Sequence, residues 1–330
     1  MKIAFFSSKS YDREYFDTFN VDNKHLLTYF DAPLNTDTAN LTQGFEAVCV
    51  FVNDKIDKET VEKISVNGIK VIALRCAGYN NVDVKAAMDK NIRIFRVPAY
   101  SPQAVAEHAV ALILTLNRKT HKAYNRIREN NFSIEHLTGF NLYGKTVGVV
   151  GTGQIGSSFC TIMQGFGCKV IAYDIAESDE LKEKGIGYRS FDEILKCSDV
   201  ISLHCPLTPE TNHIINKDAL SKMKNGVMLI NTSRGGLINT PDVIQGLKNK
   251  KIGYLGIDVY EQEAGLFFKD LSESVIRDDV ISRLMNFPNV LITGHQAFFT
   301  REALEQITTI TLNNLTDFEK GVEVANEVRI

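Results

Sequence analysis

Short apolar runs separated by polar, helix-compatible stretches set the pattern of the first part of the chain. The runs "KIAFFSS" (2–8), "HLLTYF" (25–30), "AVCVFV" (47–52), "KVIALR" (70–75) and "IRIFRV" (92–97) predict strands. They are near-continuous in Val, Ile and Phe rather than alternating, which predicts a parallel sheet covered on both faces. The next stretch opens with Ser-Pro, a helix-start signal, and predicts one long helix over 101–128. From Ala109 to Leu116 that helix is apolar nearly all round, so it is expected between two masses or in a subunit interface. A second strand series follows: "KTVGVVG" (145–151), "CKVIAYD" (168–174), "DVISLH" (199–204), "GVMLIN" (226–231), "YLGIDV" (254–259) and "NVLIT" (289–293). The final "TREALEQITTITLNNLTDFEK" has helical periodicity and no strand after it. Economy of burial suggests that it returns to cover the first sheet.

The chain has 330 residues, long for a single core. Together with the two strand series this predicts an α/β protein of two parallel-sheet domains; if the last helix returns to the first sheet, one is discontinuous over 1–99 and 299–330 and the other spans 100–298. A composition of 44% hydrophobic and 23% charged residues is that of an ordinary globular protein. The net charge of −3 gives no electrostatic reason to expect nucleic acid or an anionic membrane as a partner. No apolar run approaches the roughly 18 residues needed to span a bilayer. The start reads as a first strand rather than a signal peptide. The six cysteines form no CxxC pair and lie mostly in apolar segments, which fits free thiols in a reducing cytoplasm and no metal site.

"KTVGVVGTGQIGSSF" carries Gly151-Thr152-Gly153-Gln154-Ile155-Gly156 between a strand and a helix, the context that gives a GxGxxG motif meaning. The glycines allow a tight turn, close approach of a pyrophosphate and helix–strand packing, and the helix N-terminus receives the phosphate charge. The next strand ends at Asp174, where a carboxylate accepts hydrogen bonds from ribose hydroxyls and repels a 2′-phosphate. "DIAESDE" supplies no arginine to neutralise one, so NAD is preferred to NADP.

With NAD along the carboxyl ends of the second sheet, the loops "NTSRGG", "DVYEQE" and "TGHQAFF" are expected at its nicotinamide end. Each carries an ionisable residue: Arg234, Glu263 and His295. Hydride transfer to a 2-keto acid uses all three. Arg234 pairs with the substrate carboxylate and polarises the carbonyl. Protonated His295 serves as general acid, and Glu263 orients its imidazole and favours the charged form.

These motifs, with "NTSRGGLI", "GIDVYEQE" and "TGHQAF", resemble the D-isomer-specific 2-hydroxyacid dehydrogenase family over the whole chain. The stretches "ALRCAGYNNVD", "RVPAYSPQAVAEHA" and "DVISLHCPLT" are most similar to NAD-dependent fermentative D-lactate dehydrogenases. The resemblance implies reduction of pyruvate to D-lactate. It also implies a flavodoxin-like substrate domain, a Rossmann NAD domain, an active site in the cleft, and a homodimer or higher homo-oligomer joined through the cofactor domains. It places the substrate carboxylate against the loop of Arg75, Cys76, Ala77 and Gly78, with Tyr100 near the substrate and Phe298 beside its methyl group. It adds cofactor contacts at Gln154, Ile155, Cys205, Pro206, Thr211, Thr232, Ser233 and Asp258. Arg75 has a second reading, as an anchor of its own loop to neighbouring carboxylates. Tyr100 and Phe298 have one as packing.

Other readings use the same machinery. Glyoxylate or hydroxypyruvate reduction differs by a methyl or hydroxyl, worth only about 1–3 kcal/mol in an apolar pocket. A formate dehydrogenase would lack the partner that Glu263 supplies. An NADH-sensing binding protein without turnover retains similar catalytic residues, so the triad does not exclude it.

Overall fold

The computed structural model describes residues 1–329, apart from the Asn23 side chain, as two compact units. The first joins Met1–Ser101 to the segment from Phe299 onward, and the second is Pro102–Phe298.

The first unit holds strands β1 (Lys2–Phe5), β2 (Leu26–Tyr29), β3 (Ala47–Val50), β4 (Val71–Leu74) and β5 (Arg93–Phe95), in the order β2-β1-β3-β4-β5. Every pairing is parallel. This is the flavodoxin-type doubly wound order. The inner strands β3 and β4 are buried at every residue, as continuous apolar runs require, whereas the edge strand β2 begins exposed at Leu26. The strands stop short of the apolar runs because the polar ends turn away. Ser7, for example, takes a left-handed φ of 52° just past β1. The helix Arg301–Glu319, capped by the Thr300 side chain, sets Leu312 and Leu315 against Ile3, Phe5, Val71 and Phe95.

The second unit holds β6 (Thr146–Val150), β7 (Lys169–Tyr173), β8 (Gly187–Tyr188), β9 (Val200–Leu203), β10 (Val227–Asn231), β11 (Ile252–Ile257) and β12 (Val290–Ile292). The all-parallel order is β12-β11-β10-β9-β6-β7-β8. Strand order therefore reverses between β6 and β9, a topological switch point. Two core layers flank the sheet. Ala109, Leu112, Ile113 and Leu116 of the helix Pro102–Arg118 pack with Val147, Phe159, Met163 and Ile230 on one face. Leu195, Leu220, Val243 and Leu247 pack with Ile201, Leu203, Leu229 and Leu255 on the other.

The structure corrects the single helix expected over 101–128. It is two helices, Pro102–Arg118 and Thr120–Arg128, broken at Lys119, whose φ is 50°. The first buries its apolar face within its own unit, and the second has no buried residue. Among the described residues no helix is long and apolar enough to cross a membrane.

Candidate active site

The loop after β6 is drawn tight by its glycines. A Cβ on Gly156 would sit 1.9 Å from the Gly151 carbonyl oxygen, and Gly151, at φ 93°, leaves no room beside the Cys205 amide nitrogen. Gly153 is the opposite case, with nothing within 4 Å of where its Cβ would lie. It also caps the helix Gln154–Gly165 without any side-chain acceptor, leaving first-turn amides for an anion. Gln154 is exposed there and Ile155 half-buried.

At the end of β7, Asp174 Oδ2 accepts from the Thr152 amide at 2.5 Å and its hydroxyl at 3.1 Å, and Oδ1 accepts from the Ala176 amide at 3.0 Å. Burial pushes this carboxyl up, but those hydrogen bonds outweigh it and hold Asp174 below the ordinary carboxylate range. An open glycine cradle, uncapped amides and an ionised aspartate one strand over fit a dinucleotide with free ribose hydroxyls.

From this cradle a continuous series of contacts leads to the expected catalytic loops. Ser233 Oγ donates to the Cys205 carbonyl at 2.7 Å, and Thr211 Oγ1 donates to that of Pro206 at 2.7 Å. Thr232 Oγ1 is buried without a partner. Burial pushes the Cys205 thiol up to about 11, so it stays protonated and has no nucleophilic role.

Arg234 is set by a residue that sequence reasoning passed over. Asn231, buried at the end of β10, accepts from the Ser233 amide at 3.1 Å and donates to the Arg234 carbonyl at 2.8 Å. An Asn closing a strand before a turn is the signal that could have found it. The Arg234 guanidinium donates to the Ser233 carbonyl at 2.7 Å and has no carboxylate partner among the described residues. Next to it, a Cβ on Gly235 would lie 2.1 Å from the Tyr260 carbonyl carbon, so this loop and the one after β11 are in direct contact.

Glu263 accepts from the Tyr260 amide at 3.0 Å through Oε2, and its Oε1 lies 3.0 Å from His295 Nδ1. The His295 backbone is left-handed at φ 55°, with its amide donating to the Asp258 carbonyl at 2.8 Å. Phe268 lies against the imidazole, ring centroids 5.7 Å apart. Nε2 of His295 has no hydrogen-bond partner among the described residues.

Asp258, expected as a cofactor contact, follows directly on β11. Its side chain is fully buried, accepting from Thr293 Oγ1 at 2.5 Å and from the Gln296 and Ala297 amides at 2.9 and 2.8 Å, with His108 Nε2 at 3.4 Å. Burial pushes its carboxyl up and these donors more than reverse that. In this structure Asp258 fixes the loop that carries His295 and Phe298, the latter itself buried.

Arg75 carried two expectations, contact with the substrate and anchorage of its own loop. Its side chain is buried in the first unit, with Nε donating to Asp12 at 3.2 Å, Nη2 to the Ser7 carbonyl at 2.9 Å, and the guanidinium 4.4 Å from the Phe5 ring centroid. So enclosed, the guanidinium anchors the loop, while its buried Nη1 has no hydrogen-bond partner among the described residues. The Arg75 amide is also used, donating to the Val50 carbonyl at 3.1 Å. Further along, Cys76 Sγ donates to the Gly78 carbonyl at 3.2 Å and Arg96 to that of Ala77 at 3.0 Å. The amides of Ala77 and Gly78 donate to no acceptor among the described residues. Tyr100 is half-buried.

Strand order, the glycine cradle and a Glu–His pair on a loop that touches the arginine's loop are features of a nucleotide-dependent dehydrogenase. Residues 110–297 match the model of the D-isomer specific 2-hydroxyacid dehydrogenase NAD binding domain. The chain is 51% identical to the D-lactate dehydrogenase of Escherichia coli K12 over 328 residues, 99% of this chain and 100% of that one. It is 52% identical to a 2-hydroxyacid dehydrogenase homolog of Haemophilus influenzae over 328 residues, 99% of each chain. The apo-structure of the Escherichia coli D-lactate dehydrogenase superposes with a TM-score of 0.92 at 49% identity, covering 100% of both chains. The chain belongs to the D-isomer specific 2-hydroxyacid dehydrogenase family and is an NAD-dependent oxidoreductase.

Proposed function

We propose that the chain reduces pyruvate to D-lactate. NADH, held at Gly151–Gly156 and Asp174, supplies the hydride that reaches the carbonyl carbon. The Arg234 fork binds the keto-acid carboxylate and polarises the carbonyl. As negative charge develops on the carbonyl oxygen, His295 delivers a proton to it from Nε2, a role worth roughly 10²–10⁴-fold. Glu263 accepts from Nδ1, which fixes the ring orientation and keeps the second nitrogen turned to the substrate. In the oxidative direction the same imidazole takes the hydroxyl proton.

One observation carries the reading. An imidazole oriented by a carboxylate at 3.0 Å, with its other nitrogen unpartnered, shares connected loops with an arginine that lacks an acid. We assign further substrate contacts to the amides of Cys76, Ala77 and Gly78 and to Tyr100 and Phe298. Cofactor contacts are assigned to Gln154, Ile155, Cys205, Pro206, Thr211, Thr232 and Ser233. Ile175, fully apolar and 96% exposed beside Asp174, offers a flat surface for the adenine ring. The chain assembles as a homodimer through the second unit, supported by exposed Tyr124, Ile127, Phe132 and Ile134 clustered along 124–134. Six cysteines without a disulfide suit a cytoplasmic enzyme.

The test is NADH oxidation by purified protein with pyruvate, glyoxylate and hydroxypyruvate in turn. A kcat/KM highest for pyruvate is expected, and a higher value for either of the others would move the substrate while keeping the mechanism.

A further inference from the structure

The second unit has a concavity of about 750 Å³ at the end of the sheet where β11 and β12 begin. The catalytic loops leave the other end. With β11 running Ile252–Ile257, the two ends lie roughly 17 Å apart at about 3.3 Å per residue.

The lining is cationic. Lys119, Lys122, Arg126, Lys248 and Lys250 all face it, and no Asp or Glu does. The ion-paired lysines and arginines among the described residues lie elsewhere in the chain. What these side chains have instead is backbone carbonyls: Lys119 donates to His136 at 2.7 Å, Lys122 to Pro288, and Arg126 to Glu135 at 2.7 Å. Burial, then Lys119 and Arg126, pushes the Lys122 ammonium down, so the crowding of like charges is unrelieved. In a chain of net charge −3 this is a local inversion of sign.

Lys122 and Arg126 stand one helical turn apart and line the cavity with Lys119, while at about 100° per residue Tyr124 points to the opposite face and Ile127 is turned about 100° from Arg126 toward it. The cationic face is thus separate from the apolar face assigned to assembly. Tyr254, Phe287 and Pro288 add an apolar wall to the cavity, room for a carbon skeleton between charged groups. The volume is that of a small-molecule site.

We propose that this cavity binds a small polyanion, a molecule bearing two or more phosphate or carboxylate groups, at a site separate from the catalytic loops. Fixed cations without acids gain more from such a ligand than from single chloride ions, because several charges are met at once.

Calorimetric titration of NADH-saturated protein, with the glycine loop already filled, tests it. Tripolyphosphate is the probe in one arm and citrate in the other, both at ionic strength fixed with potassium chloride. The Lys122→Gln/Arg126→Gln double variant is run in parallel, and its pyruvate turnover without added anion, expected at the wild-type rate, shows that it folds. Binding in either arm, weakened at least tenfold in the variant, is the expected result, and the arm that binds distinguishes phosphate from carboxylate chemistry. No binding in either arm, or equal binding to both proteins, overturns the proposal. The readout is direct binding, so it stands whichever keto acid the enzyme reduces.

Discussion

Arg234 leaves the end of β10 with its guanidinium held only to the Ser233 carbonyl, while Arg75 leaves the end of β4 enclosed by Asp12, the Ser7 carbonyl and the Phe5 ring. The chemistry of the side chain is the same and the consequence of removing it is not. Arg234→Lys keeps a positive charge but loses the planar fork, so kcat/KM for pyruvate should fall by roughly 10–10²-fold with NADH affinity unchanged. Unaltered steady-state kinetics would remove Arg234 from the substrate's reach. Arg75→Met leaves Asp12 buried without its partner, and denaturant unfolding should show a loss of about 3–5 kcal/mol. A variant as stable as wild type, with a raised KM for pyruvate, would return Arg75 to the substrate. Both arginines follow an apolar run in the sequence and precede small residues. What separates them is Asp12, a partner 63 positions away that no local pattern reveals.

The strands were legible because a parallel sheet buried on both faces writes itself as continuous apolar runs, and each run became a strand. β8 was not, since its two residues at a sheet edge carry too little burial to leave a pattern. The helix break at Lys119 was hidden for a related reason. No Gly or Pro marks it, and a lysine takes the left-handed conformation instead. At the end of β9, His204 accepts or donates only at Nε2, 2.8 Å from Ser202 Oγ, with Nδ1 buried and unpartnered. Burial pushes its pKa down from 6.5 to about 3. Below the ordinary histidine pKa the unfolded chain binds a proton here and the folded chain does not, so this residue makes stability fall as pH falls. Replacing it, as in His204→Gln, should flatten the acid side of the stability curve between about pH 6 and 4, by up to about 1.4 kcal/mol per pH unit. Parallel curves for the two proteins would show that His204 is already protonated in the native state.

In the whole molecule there are two sheets of doubly wound order, and the second carries the glycine cradle, the catalytic loops and the cationic cavity at separate places. The helix Thr120–Arg128 has no fully buried residue, and its exposed Tyr124 and Ile127, with Phe132 just beyond it, form the face proposed above for a second copy. Ile127→Glu/Phe132→Glu should shift the mass found by light scattering from dimer to monomer, and an unmoved mass would place the interface elsewhere. The meeting of Glu263 with His295, and the cradle, were legible because topology sends every strand's carboxyl end to one edge of the sheet. The central claim is that these loops act as a D-specific hydride-transfer site. The most direct measurement offers purified protein NAD with D-lactate and with L-lactate separately and follows NADH appearance. The account predicts reduction with D-lactate alone. NADH binding without turnover of either isomer, pyruvate, glyoxylate or hydroxypyruvate would contradict it and withdraw the roles given to Arg234, Glu263 and His295.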